Sequence, residues 1–269
     1  MRHNSILYNI DLAKAENKVV AYISPDPNMI TAFEQGIDLH SLTAALIFRK
    51  PIEEISDEIG SCQIGSGMQS ERYWGKKANH GLNYGLGYKS FALTYEITEQ
   101  EANFIVTRYF EAYPGVKHYH AWVQESLQKT RSLTDCFGKR RVFLDRWGDS
   151  LFKEAYSFIP QSTVAGLMNF NGLSYIWKNR NMFQGLELLN TVHDSIVFQI
   201  SNKYNSEYHA ILIKRICDSL EQPILYRGRE FSIGADVSIG YNLKKLRPIK
   251  DRSQWSMSEF IEEVKRKEF

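Results

Sequence analysis

Asp11 and Asp194 each stand where an apolar run meets a break, the first after Ile6-Leu7-Tyr8-Asn9-Ile10 and the second just before Ile196-Val197-Phe198. Carboxylates on rigid elements are what hard divalent cations take as ligands. A pair of them can hold two Mg2+ ions about 4 Å apart for nucleotidyl transfer, one activating a hydroxyl and the other steadying the departing pyrophosphate. Taken alone, an acid at a strand end is more commonly a turn residue or a helix cap. His193-Asp194 also fits a metal phosphohydrolase, but the further His and Asp ligands such an enzyme needs do not occur at suitable spacing.

A second pattern lies between these acids. Arg72, Lys76 and His80 recur at every fourth residue. In a helix each such step turns about 400°, so the three form one stripe drifting about 40° per step, a cationic rail roughly 12 Å long that ends in a ring. The rail would meet phosphates through Arg72 and Lys76, then a base or sugar through the face of His80. Tyr84 follows beside Gly81 and Gly85, where missing side chains admit a bend or a close approach. A solvated basic stripe on a fraying helix is the plainer reading; the fixed offsets of Asn79, Gly81, Tyr84 and Gly85 from Lys76 argue against it.

The elements that must position these groups follow from pattern and punctuation. Ser5 to Leu12 and Lys18 to Ile23 read as strands or strand edges. Ser24-Pro25-Asp26-Pro27 breaks the chain and caps a helix over Asn28 to Gln35, and Asp38 to Phe48 is the next helix. Gly60 to Gly67 is a flexible loop. Glu71 to Tyr84, Glu99 to Tyr113 and Gly115 to Lys129 have helical periodicity. The β-formers return at Thr134 to Leu144, before a long helix from about Ser162 to Asn179. Leu186 to Ile200 reads as a hairpin whose turn exposes His193 and Asp194. Ile211 to Leu220 is helical and Phe231 to Ile239 extended. This is an α+β architecture: a mostly antiparallel sheet built from both ends of the chain, with a helical insertion between.

Composition sets the bounds. With 269 residues, 43% hydrophobic and 13% aromatic, the chain can bury one large core or two smaller ones sharing a cleft. The net charge of +2 attracts a polyanion only weakly, so nucleic-acid binding must come from clusters such as Lys139-Arg140-Arg141. Cys62, Cys136 and Cys217 are odd in number and lack CxxC spacing, which argues against a disulfide framework or zinc site and suits a reducing compartment. No apolar run reaches about eighteen residues, and Met1-Arg2-His3-Asn4 opens no signal peptide. A soluble, cytoplasmic protein without membrane contact is expected.

Together these blocks resemble the C-terminal part of a family A DNA polymerase, the class that holds bacterial DNA polymerase I and many phage replicases. Asp11-Leu-Ala-Lys-Ala-Glu16 is similar to motif A, Arg72-x3-Lys76-x2-Asn79-His80-Gly81-x2-Tyr84-Gly85 to motif B, and Val192-His193-Asp194 to motif C. Asp38-Leu-His40, Phe137-Gly138-Lys139-Arg140-Arg141, Gln161 and Val237-Ser-Ile-Gly240-Tyr-Asn242 extend the likeness, which covers Ile6 to about Leu243.

The resemblance implies a right-hand palm with a helical fingers insertion: palm at 1–27, fingers at 28–150 around a motif B helix at 71–85, palm again at 151–243 with a motif C hairpin at 186–200, and a charged appendage at 244–269. Template-directed DNA synthesis from dNTPs on primer-template DNA follows, with two Mg2+ ions, for which Mn2+ can substitute, on Asp11 and Asp194. Arg72, Lys76 and His40 would hold the triphosphate, with Lys76 also counted as catalytic, and His80 would stack on the nucleotide. Glu16 would crowd the sugar against a 2′-hydroxyl. Tyr84 would fill the template base's place, Gln161 and His193 would touch the primer, and Arg140 and Arg141 would contact DNA.

Two positions depart from the family pattern. His80 stands where Phe or Tyr is usual, and Ser195 where many members carry a third carboxylate. His-Asp-Ser also occurs in single-subunit phage-type RNA polymerases, but a bulky acid at Glu16 disfavours ribonucleotides. Motif A normally follows a thumb and the first palm strands, and here it begins at residue 11, with no exonuclease segment. The expectation is a phage-type split polymerase whose second polypeptide supplies the thumb, the remaining palm strands and the proofreading. A replisome scaffold without turnover is the non-enzymatic alternative, separable by Mg2+-dependent dNTP binding. Trp255, Phe260 and Ile261 on the tail are candidates for partner docking.

Overall fold

The computed structural model describes residues 4–249 and 256–266. The chain opens with strand β1 (Ser5–Leu12), then helices α1 (Ala15–Ile23), α2 (Pro27–Glu34), α3 (Leu39–Phe48), α4 (Glu71–Leu82), α5 (Tyr88–Tyr95), α6 (Glu99–Ala112) and α7 (Pro114–Thr130). A small hairpin, β2 (Ser132–Thr134) and β3 (Arg140–Val142), leads into α8 (Asp149–Leu167), a π-helical stretch at Met168–Ser174 and α9 (Tyr175–Lys178). The hairpin β4 (Leu186–Val192) and β5 (Ser195–Ser201) precedes α10 (Ser206–Leu220), β6 (Ile224–Tyr226), β7 (Arg229–Phe231), β8 (Ala235–Gly240), β9 (Arg247–Ile249) and α11 (Met257–Lys265).

Two compact units result, residues 1–15 with 163–269 and residues 16–162. The first is built on a 5-stranded sheet in the order β4-β5-β1-β8-β9. Every pairing in it is antiparallel. β1 lies in the middle with every second side chain buried, Ile6, Tyr8, Ile10 and Leu12, because one face of the sheet is covered and the other is not. The tail joins this unit: β9 pairs with β8, and α11 buries Phe260 and Val264. Ile261 is half-buried, and Trp255 lies outside the described residues.

The second unit is helical, and its helices start where short side chains close them. Asp26 accepts from the backbone N–H of Asn28 and Met29, Asp38 from that of Ser41, Ser70 from that of Tyr73, and Thr98 forms a reciprocal capping box with Glu101. The α+β class and the antiparallel sheet agree with the sequence reading, and three local expectations are corrected. Lys18 to Ile23 is helix α1 rather than strand, because Val19, Val20, Ala21 and Ile23 are all buried and the burial carries no period of two. The long helix begins at Asp149, not near Ser162, with Pro160 accommodated inside it. Phe231 to Ile239 is not one strand: β7 pairs with β6 in a separate hairpin before β8 begins.

Candidate active site

The candidate residues divide between the units. Asp11, His193 and Asp194 belong to the first; Glu16, His40, Arg72, Lys76, His80, Tyr84, Arg140, Arg141 and Gln161 belong to the second.

In the first unit, Asp11 is next to last in β1, in register with Ser195 of β5 on one side and Asp236 of β8 on the other. The residues of β4 and β5 that close the hairpin, Val192 and Ser195, pair directly, leaving His193-Asp194 as a two-residue turn. The Leu12 backbone N–H donates to the Asp194 carbonyl at 3.0 Å, tying the end of β1 to that turn. The Asp194 carboxyl is close enough to Asp11 to act on it by charge and by hydrogen bonding when a proton is shared. Burial, then the charge and hydrogen bond of Asp194, then the charge of Asp236, push the Asp11 carboxyl up to about 6. Ser195 Oγ donates to the Val192 carbonyl at 3.0 Å.

Among the described residues, no group of three or more His, Cys, Asp or Glu side chains is arranged as a metal cage. The donor set that is present still suits Mg2+, which keeps several waters and takes one or two carboxylates with substrate phosphates rather than an all-protein shell. The repulsion that adds to burial in lifting Asp11 is what a divalent cation between the two acids would relieve.

His193 has φ +54°. A side chain in the left-handed region costs about 1–2 kcal/mol, part of which glycine recovers. His193→Gly is therefore expected to unfold at an equal or slightly higher urea midpoint, a gain of about 1 kcal/mol or less. A clear loss of stability would mean that the imidazole itself holds the turn.

In the second unit, α4 crosses α3 where Gly75 leaves room for the backbone of His40 and Ala44. Arg72 is half-buried, and Nε donates to Asp38 Oδ2 at 2.8 Å, with Nη1 3.5 Å from Asp57 Oδ2. Hydrogen bonding to Asp38 favours its cationic form further. Lys76 is exposed one turn later. The His40 and His80 rings lie 5.9 Å apart, and Asn79 Nδ2 lies 3.1 Å from His40 Nδ1. Burial and then the Lys76 charge hold His80 below the usual imidazole range, with Glu16 acting the other way. Near pH 7 this ring is neutral and can stack as an uncharged aromatic surface.

The Tyr84 hydroxyl donates to Glu16 Oε2, and Asn83 Nδ2 donates to Asn17 Oδ1 at 2.8 Å, so the end of α4 is held to α1 by two side-chain bonds. Gly85 has φ +75°, and a Cβ there would lie 2.5 Å from the Tyr156 ring. A cavity of about 360 Å³ opens beside it, lined by Gly87, Tyr88, Gln124, Phe152 and Tyr156 among others. Arg141 is paired with Glu154, Arg140 Nε donates to Ser132 Oγ at 3.0 Å, and Gln161 is exposed on α8. Asp236 and the partners of Arg72 escape sequence reasoning. Asp236 stands just before the Val237-Ser-Ile-Gly240 block, but its register with Asp11 is a long-range pairing that no local pattern announces.

Residues 1–243 match the model of DNA polymerase family A. The chain belongs to that family. A DNA polymerase I from Treponema pallidum is 34% identical over 135 residues, 50% of this chain and 12% of its own length. The thermostable DNA polymerase I of Thermus aquaticus is 26% identical over 240 residues, 86% of this chain and 27% of its own. The chain therefore spans well under half the length of these curated relatives. Among solved structures, the POL domain of Pol1 from M. smegmatis, in complex with DNA primer-template and dNTP, superposes with a TM-score of 0.73 at 23% identity, over 90% of this chain and 40% of that one. That likeness is one of fold. Among the described residues, no helix is long and apolar enough to cross a membrane.

Proposed function

We propose that this chain carries the catalytic acids and the nucleotide-binding helix of a DNA-directed DNA polymerase, adding dNTPs to a primer 3′-hydroxyl. The observation that carries the reading is the Asp11–Asp194 pair, two acids brought together by a strand end and a tight turn. Divalent cations bound there would activate the 3′-hydroxyl and stabilise charge on the leaving pyrophosphate. Arg72, Lys76 and His40 bind and orient the triphosphate, His80 stacks on the nucleotide, and Glu16, held by Tyr84, limits space at the sugar. Gln161 and His193 contact the primer, and Arg140 and Arg141 the DNA backbone.

A further polypeptide is part of this reading, and an exposed sheet edge is what supports it. β4, an edge strand with Leu188, Leu189 and Val192 all more than 40% exposed, is a surface such a polypeptide would cover.

Primer extension with Mg2+ and either dNTPs or NTPs tests the proposal, using the chain alone and with whatever polypeptide co-purifies. Extension with dNTPs that is lost in Asp11→Asn is the expected result. Mg2+-independent incorporation, or none with either preparation, would overturn it. In the same assay Glu16→Ala should narrow the preference for dNTPs over NTPs by roughly 10- to 200-fold, the scale of one lost steric contact in a pocket. An unchanged ratio would remove Glu16 from sugar selection.

A further inference from the structure

His40 enters the nucleotide site proposed above, but Asp38, two residues earlier, has no part in that reading. Its carboxylate nevertheless ties two helices together. A single oxygen, Oδ2, accepts from the Ser41 backbone N–H at 3.1 Å, from Ser41 Oγ at 2.9 Å and from Arg72 Nε at 2.8 Å. The first two bonds close the start of α3, the helix that carries His40. The third crosses to the first turn of α4.

The same guanidinium meets a second acid of different character. Asp57 approaches Nη1 at 3.5 Å, and its other oxygen accepts from Ser70 Oγ, the cap of α4, at 3.2 Å. The Asp57 side chain is 66% exposed against 29% for Asp38. A planar guanidinium held at Nε keeps one orientation while its Nη groups remain the edge presented to an anion. Asp38 thus grips the inner edge from a helix cap. Asp57 lies against the outer edge, where an oxygen of an arriving anion would sit.

We propose that Asp38 is the positioning residue of the triphosphate site. It holds the Arg72 guanidinium and, through the α3 cap, His40 in one arrangement, whereas Asp57 competes with the triphosphate for Arg72. The proposal rests on the reading of α4 as the nucleotide-binding helix. Net charge alone predicts something else: removing either acid takes one negative charge from a polyanion site, so both removals would tighten binding. Positioning predicts opposite signs.

The test uses Asp38→Ser, Asp57→Ser and Arg72→Ala in the full chain, titrated by calorimetry with Mg2+-dATP and separately with inorganic tripolyphosphate, with a melting curve for each variant. Serine caps a helix about as well as aspartate but is too short to reach Arg72, so α3 stays closed while the arginine contact is lost. Asp38→Ser should weaken both ligands by roughly tenfold, the scale on which outer partners tune a binding group, at a nearly unchanged melting temperature. Asp57→Ser should tighten both. Steady-state extension should show the Asp38→Ser defect mainly in the dNTP KM rather than in kcat. If Arg72→Ala weakens binding while Asp38→Ser leaves it unchanged or tightens it, the positioning role is wrong and the nucleotide site stands. If the unmodified chain binds neither ligand, the nucleotide site and the positioning role fall together.

Discussion

Asp194→Asn is expected to lower the rate of nucleotide addition by about a thousandfold or more while making the metal-free chain more resistant to heat. A cation held by this carboxylate is worth several kcal/mol to a transition state that gathers charge on transferring oxygens, and about 4 kcal/mol corresponds to roughly three decades in rate. The gain in stability has a separate origin. Asp11 sits at about 6 instead of the ordinary 3.8, first through burial and next through the Asp194 charge and hydrogen bond. A carboxyl whose folded pKa is raised favours the fold fully below its unfolded value, and that contribution is lost as pH rises through about 6. An amide at 194 removes the facing charge. The variant should therefore melt higher than the parent at pH 7.5 in EDTA, and the difference should vanish near pH 3, below the unfolded value of 3.8, where Asp11 is protonated in both states. Adding Mg2+ at pH 7.5 should raise the melting temperature of the parent and leave the variant nearly unmoved. A variant that melts lower in EDTA at pH 7.5, or that still extends primers, would show that the two acids do not share a cation.

Much of this site was legible because its determinants are local. A cap needs only a short polar side chain and an amide two or three residues on. Asp26 and Asp38 mark helix starts that the structure bears out. The four-residue spacing of Arg72, Lys76 and His80 was visible for the same reason. Lys18 to Ile23 misled because β-branched Val19, Val20 and Ile23 imply extended chain, whereas burial around α1 overrides a weak propensity. The start of α8 escaped the reading that placed a long helix from about Ser162: it begins at Asp149 and runs through Pro160. The hydrogen bond from Tyr84 to Glu16, the register of Asp236 with Asp11 and the grip of Asp38 on Arg72 join residues far apart in sequence. Nothing in the local pattern encodes them.

Gly75→Ala should be the most damaging single methyl in the helical unit. A Cβ at this position would lie 2.2 Å from the His40 carbonyl oxygen, 2.8 Å from the Ala44 nitrogen and 3.1 Å from the Ala44 Cβ. Two of those atoms are backbone, so no rotamer change relieves the clash and α3 must move away from α4. The crossing also holds a buried polar cluster: Thr43 Oγ1 donates to the Leu39 carbonyl at 2.7 Å and lies 2.8 Å from the Tyr113 hydroxyl, while Asn79 Nδ2 donates to Thr43 Oγ1 at 2.9 Å and lies 3.1 Å from His40 Nδ1. Separating the helices adds the cost of stretched or unmade buried hydrogen bonds, about 1–3 kcal/mol, to an overpacking cost of about 1–3 kcal/mol. The better helix propensity of alanine returns only about 1 kcal/mol. A net loss of roughly 3 kcal/mol, or a fall of about 10 °C in melting temperature, is the expected outcome. Gly81→Ala in the same helix is the control. Its Cβ would meet the Leu86 side chain at 3.0 Å, a flexible neighbour that can yield, and its melting temperature should stay close to the parent's. If the two variants melt alike, the close crossing at Gly75 is not what sets His40 against the cationic face of α4.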